Sequence, residues 1–178
     1  MQEAQCSACT MAEIDILDDR AEMARARLLP LLDRPGLAEC DVTTLLPMLA
    51  WAHLELGQVD QAAAVLNQAL GRARPEDMQL VLVDALRVHA MVALRQGQWI
   101  EAAASLEEGI DLARRIPYPY AEVRLLRVDA ALYTATSRPV LARERLDMAA
   151  AIAEQLTTVG GAVERTDSAL LTRGETAR

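Results

Sequence analysis

Among its 178 residues the chain has no lysine and no phenylalanine, and aromatic side chains of all kinds make up only 3%. Its core must therefore be assembled from Leu, Ala, Val, Ile and Met. Small, unbranched and flexible side chains of that kind favour close helix–helix packing over sheets, which draw on β-branched and aromatic residues. An all-α fold is expected. Every basic residue is an arginine, and the net charge is −8. A direct nucleic-acid contact is not expected from such a balance, because phosphate binding needs clustered cations. The arginine-only usage is read first as genome composition and second as an arginine-lined binding face. No apolar run of 18 residues is free of charge, so no membrane-spanning helix is expected. The opening MQEAQCSACTMAEIDILDD has no basic stretch leading into an apolar one. A secretory leader is thus not expected, and a cytoplasmic location follows by default.

Chemistry-bearing residues are also scarce. There are three cysteines, Cys6, Cys9 and Cys40, an odd number that suits a reduced compartment better than a disulfide framework. Cys6 and Cys9 have the spacing of a redox or zinc pair. However, no βαβ pattern surrounds them, and no second pair completes four ligands. His53 and His89, the two histidines, lie in apolar helical stretches and are read as packing residues. No glycine-rich phosphate loop occurs. With no nucleophile–base pair and no paired carboxylates recognisable, no cofactor, no metal and no enzymatic activity are expected.

What the chain does have is internal repetition. GQVDQAAAVLNQAL begins at Gly57 and GQWIEAAASLEEGI at Gly97, 40 residues further on. The same step leads to Ser137 and RPVLARERLDMAAAI, and RAEMARARLLPLL from Arg20 is an earlier echo offset by 38. Repetition at such a period is the mark of stacked helical units. Each unit reads as a helical hairpin. The stretch PEDMQLVLVDALRVHAMVALRQ carries Leu82, Leu86, Ala90, Ala93 and Leu94 at helical spacing. Pro75 suits its first turn, with Glu76 and Asp77 at the positive end of the dipole, and Gly97 closes it. The second helix, from Trp99 to about Arg115, places Ala102, Ala103, Leu106, Ile110 and Ala113 inward, and Pro117 and Pro119 end it. Six to eight helices are expected, with turns near Gly57, Gly97 and Ser137 and no strand. The alanines at 62, 102 and 142 mark close approach within a hairpin, and the leucines at 66, 106 and 146 fill the space between units. AEIDILDD supplies a partner for the helix over 20–33, in which Pro30 predicts a kink or early stop. Residues 159–178, opening on Gly160-Gly161, are set apart as a short capping helix over 162–171 with a frayed end. The repeat domain is taken as 1–158.

Leu46, Leu49, Ala50, Gly57, Ala62, Leu66 and Ala69 form a pattern that resembles the tetratricopeptide repeat (TPR). It recurs with Leu86, Ala90, Gly97, Trp99, Ala102 and Leu106, and again with Leu126, Ala130, Tyr133, Ala142, Leu146 and Ala149. The unit is longer than the usual family repeat, Ser137 stands for the turn glycine, and Gly109 for a second-helix alanine. The longer unit is similar to the degenerate repeats of bacterial LuxR-type, MalT-like regulators. Paired helices of the armadillo or HEAT type are the structural alternative.

The resemblance implies an α-α superhelix of about three and a half hairpins whose first helices line a concave face. On that face it places Trp51, then Asp84, Arg87 and Met91, then Arg124, Arg127 and Thr134. Arg87, Arg124 and Arg127 are expected to gather on one patch, Asp84 pairing with Arg87 along the helix. Such a patch would hold an acidic or amphipathic peptide; alternatively the arginines make local salt bridges with Asp84, Glu122 and Asp129. The Lys/Asn carboxylate clamp of chaperone-binding relatives is absent. The expected function is a non-enzymatic protein–protein interaction module, the sensor or scaffold part of a bacterial signalling or transcriptional regulator, possible also as a homodimer. The alternatives are a small-ligand receptor using the groove and a self-associating adaptor.

Overall fold

The computed structural model describes residues 2–32 and 38–173, with side chains described over 7–32 and 38–158. Eight helices and no strand are found among them: α1 (Gln2–Leu17), α2 (Ala21–Leu32), α3 (Glu39–Glu55), α4 (Val59–Ala73), α5 (Gln79–Arg95), α6 (Trp99–Arg115), α7 (Pro119–Ala135) and α8 (Pro139–Arg173). No described helix is long and apolar enough to cross a membrane.

The turns share one device. Asp19, Gly57, Asp77, Gly97 and Ser137 all have positive φ, between 50° and 74°. Beyond each, a backbone N–H reaches back five residues: Gln58 to the carbonyl of His53 at 2.9 Å, Met78 to Ala73 at 3.0 Å, Gln98 to Ala93 at 2.9 Å and Arg138 to Tyr133 at 2.8 Å. This left-handed closure satisfies carbonyls that the ending helix would otherwise leave open. It also corrects one expectation. Pro75, Glu76 and Asp77 lie in the turn, and α5 begins only at Gln79, because Asp77 takes the left-handed position and delays the helix start.

Each helix folds back on the one before it, giving the pairs α1/α2, α3/α4, α5/α6 and α7/α8. The odd-numbered helices also pack on one another in sequence, whereas no two even-numbered helices touch. The molecule therefore has a continuous odd layer and a splayed even layer. Between them run two apolar clusters. One joins Leu28, Leu45, Trp51, Leu54 and Leu66, and the other Val83, Leu106, Leu125, Leu126 and Ala149. Ala62 and Ala102 are completely buried and Ala142 nearly so. Burying a leucine side chain stabilises by about 1.5–3 kcal/mol, and Leu66 and Leu106 are buried. Leu146 is 47% exposed, contrary to its expected role, because no described helix lies beyond α8 to cover it. Ala103 is likewise exposed.

Prolines act locally. α2 ends at Leu32, two residues after Pro30, while α3 carries Pro47 in its interior, buried. Such a proline costs one backbone hydrogen bond, and the burial of the residues around it offsets that loss. α1 begins well before the segment expected to be helical, so Cys9 lies within it; its thiol donates to the Thr44 carbonyl at 3.9 Å. The side chain of Cys6 is outside the described residues. Residues 162–171 continue α8 without a break at Gly160-Gly161. Their side chains and any capping contact are outside the described set, as is the end beyond Arg173.

Candidate functional site

The odd layer curls. Neighbouring helices lie about 8–10 Å apart, so in a flat layer α1 and α7 would be separated by three such steps. Yet Glu13 on α1 accepts a hydrogen bond from the Tyr120 hydroxyl at 2.9 Å and lies 3.2 Å from Arg124 Nη2. The first and last odd helices thus meet across the inner face, which makes that face concave.

At its centre is Trp51. The Arg87 guanidinium stacks over the indole ring at 4.2 Å, and that of Arg124 lies 5.3 Å from the same ring and 5.4 Å from the ring of Tyr120. Guanidiniums stack well on aromatic faces. The indole N–H donates to Glu55 at 3.0 Å, so the ring is held from both sides. Arg124 donates to Asp84 Oδ1 at 3.3 Å. Arg87 is only 4% exposed. Its Nη1 donates to the thioether of Met91 at 3.3 Å, a weak acceptor. Its Nε and Nη2, and Nη2 of Arg124, find no hydrogen-bond acceptor among the described residues; the approach of Glu13 to the last is close but not aligned for a bond. A buried unsatisfied donor costs about 1–3 kcal/mol, and more when charged.

Burial depresses the Arg87 guanidinium to about 10, with the neighbouring Arg124 charge adding to the effect and the Asp84 carboxylate opposing it. It remains a cation at neutral pH. Burial pushes the Asp84 carboxyl up, and the two guanidiniums pull it back. Burial together with the bond to Glu13 raises the Tyr120 hydroxyl.

Trp51, Asp84, Arg87, Met91 and Arg124 come together here, whereas Arg127 and Thr134 do not join them. Arg127 is exposed, because α7 is the last odd helix and nothing covers the position that α5 presents to its neighbour. Thr134 is exposed and donates to the Ala130 carbonyl at 2.9 Å. The three-arginine patch is thus a two-arginine cluster. Asp84 bonds to Arg124 across two helices rather than to Arg87 along its own. Glu122 pairs with Arg114 at 2.7 Å and Asp129 with Arg145 at 2.7 Å, so neither serves Arg124. Glu13 and Tyr120 were not among the expected site residues. The 38-residue offset of the first copy aligns Glu13 with Trp51, which was the available signal.

The histidines link helices. His53 Nδ1 lies 2.6 Å from Gln58 Oε1, and His89 Nδ1 lies 2.9 Å from the Ser105 hydroxyl. No group of three or more His, Cys, Asp or Glu residues among those described could hold a metal ion.

A second concavity lies on the other side, where α6 and α8 fail to touch. It has a volume of about 710 Å³ and is lined by Trp99, Ile100 and Ile110 of α6, Leu126, Leu132 and Tyr133 of α7, and Arg145 of α8. Trp99 is 41% and Ile100 89% exposed. Arg145 crosses it, bonded to Asp129 and 5.6 Å from the Tyr133 ring. In comparisons with known proteins, no family model and no curated protein matches the chain.

Proposed function

We propose that the chain is a TPR-like solenoid serving as a non-enzymatic protein–protein interaction module, the sensor or scaffold part of a bacterial regulator of the LuxR-type, MalT-like kind. Support for the repeat comes from the helix starts at Val59, Gln79, Trp99, Pro119 and Pro139, which step by 20 residues, and from the shared turn geometry. The regulator rests on the sequence resemblance alone. The observation that carries the interaction reading is the open groove between α6 and α8. Exposed apolar anchors there, Trp99 and Ile100, stand beside the Asp129–Arg145 pair. An apolar centre with a charged rim is how helical scaffolds seat an amphipathic peptide. The inner face is filled by the chain's own side chains, so the outer groove is the accessible one.

Selection of displayed peptides on the immobilised chain tests this. Amphipathic peptides should be enriched, and Ile100→Asp should weaken them at least about tenfold, or 1.4 kcal/mol. An empty selection, or peptides indifferent to Ile100→Asp, would overturn the reading.

A further inference from the structure

We propose that Trp51, Arg87 and Arg124 form a carboxylate-binding site which Glu13 of α1 occupies from within the chain, so that an external carboxylate enters only by displacing it. Two guanidiniums share one indole face, a costly arrangement unless anions complete it. Asp84 supplies one negative charge and Glu13 the other, so the cluster is balanced only while Glu13 is in place. Balance does not bring full bonding. Nε and Nη2 of Arg87 form the side edge of its guanidinium, the edge that receives a carboxylate through two parallel bonds, and both lack an acceptor although the residue is buried. Nη2 of Arg124 points to the same deficit. Glu13 is well placed to be displaced. α1 packs on α2 and α3 but not on α7, so its link to α7 runs through the contacts of this one side chain with Arg124 and Tyr120. A carboxylate arriving without the tether of α1 is free to reach the Arg87 edge that Glu13 leaves unused.

The test uses the full chain carrying Trp99→Phe, which makes Trp51 the sole indole, with sodium acetate or glutarate compared against chloride at equal ionic strength. In chloride, Glu13→Ala should melt several degrees lower than the parent and show altered Trp51 emission. Acetate or glutarate should restore most of both, while the parent responds equally to all three salts. Adding Arg124→Gln to Glu13→Ala should abolish the rescue. If the variant melts alike in all salts, or the parent gains as much from acetate as the variant does, the site is not one for carboxylates. Should Glu13→Ala fail to fold, Glu13→Gln provides the second readout: amide exchange along α1 should be faster than in the parent, and unchanged exchange overturns the proposal. The outcome is independent of the outer groove, since Ile100→Asp leaves these residues untouched.

Discussion

Single residues here differ less by type than by what surrounds them. Arg87 and Arg127 hold equivalent places in successive copies, yet one is buried on an indole and the other is in solvent. Nothing within the sequence of either helix distinguishes them, because burial depends on which helix lies next door. Asp15 makes the same point. It is 2% exposed and receives Arg27 at 3.0 Å and Arg20 at 3.1 Å, joining α1 to α2. The Arg27 hydrogen bond, foremost, holds its carboxyl below the ordinary value of 3.8, with Arg20 assisting against the opposing effect of burial. A carboxyl whose pKa is lowered by folding adds stability above its unfolded value, and that stability is lost as pH falls through the folded value. Asp15→Asn should therefore be less stable than the parent at pH 7, and the gap should close as the pH drops below about 4. Urea melts at a series of pH values measure this; a gap constant down to pH 2 would show that the pair contributes through packing alone.

For helices and turns, conformation at one position decides where an element ends. Gly57 and Gly97 adopt positive φ without penalty, whereas Ser137 takes 59° with a side chain in place. A left-handed residue other than glycine costs roughly 1–2 kcal/mol, part of which glycine returns through its freer unfolded chain. Ser137→Gly should raise stability by about 0.5–1 kcal/mol, and Gly97→Ala should lower it by about 1 kcal/mol. Thermal or urea denaturation of the two variants checks both signs. These turns were legible as Gly57, Gly97 and Ser137 because the turn position recurs at equal spacing. Asp77 was not, since Pro75 and two acids read more naturally as a helix start than as the turn before one.

Across the whole molecule, most packing joins helices adjacent in sequence or one helix apart. Stability in such a stack is close to a sum over neighbours. Helices with neighbours on both sides should therefore open last: backbone amides in α4, α5 and α6 should exchange most slowly, and those of α1 and the distal part of α8 fastest. Uniform exchange along the chain would instead show a single cooperative unit. The exception to this local pattern is Glu13, whose contact with Tyr120 spans 107 residues and closes the inner face. The helical class and the places of most turns were determined by the sequence alone, since apolar spacing and turn residues act within a few positions along the chain. Only the tertiary structure decided that the odd layer curls until α1 meets α7, that Arg87 and Arg124 share Trp51 while Arg127 stays in solvent, and that α6 and α8 part to leave a groove. Each depends on how small angles between successive packed helices accumulate, a quantity set by side-chain interdigitation across interfaces and carried by no single stretch of residues.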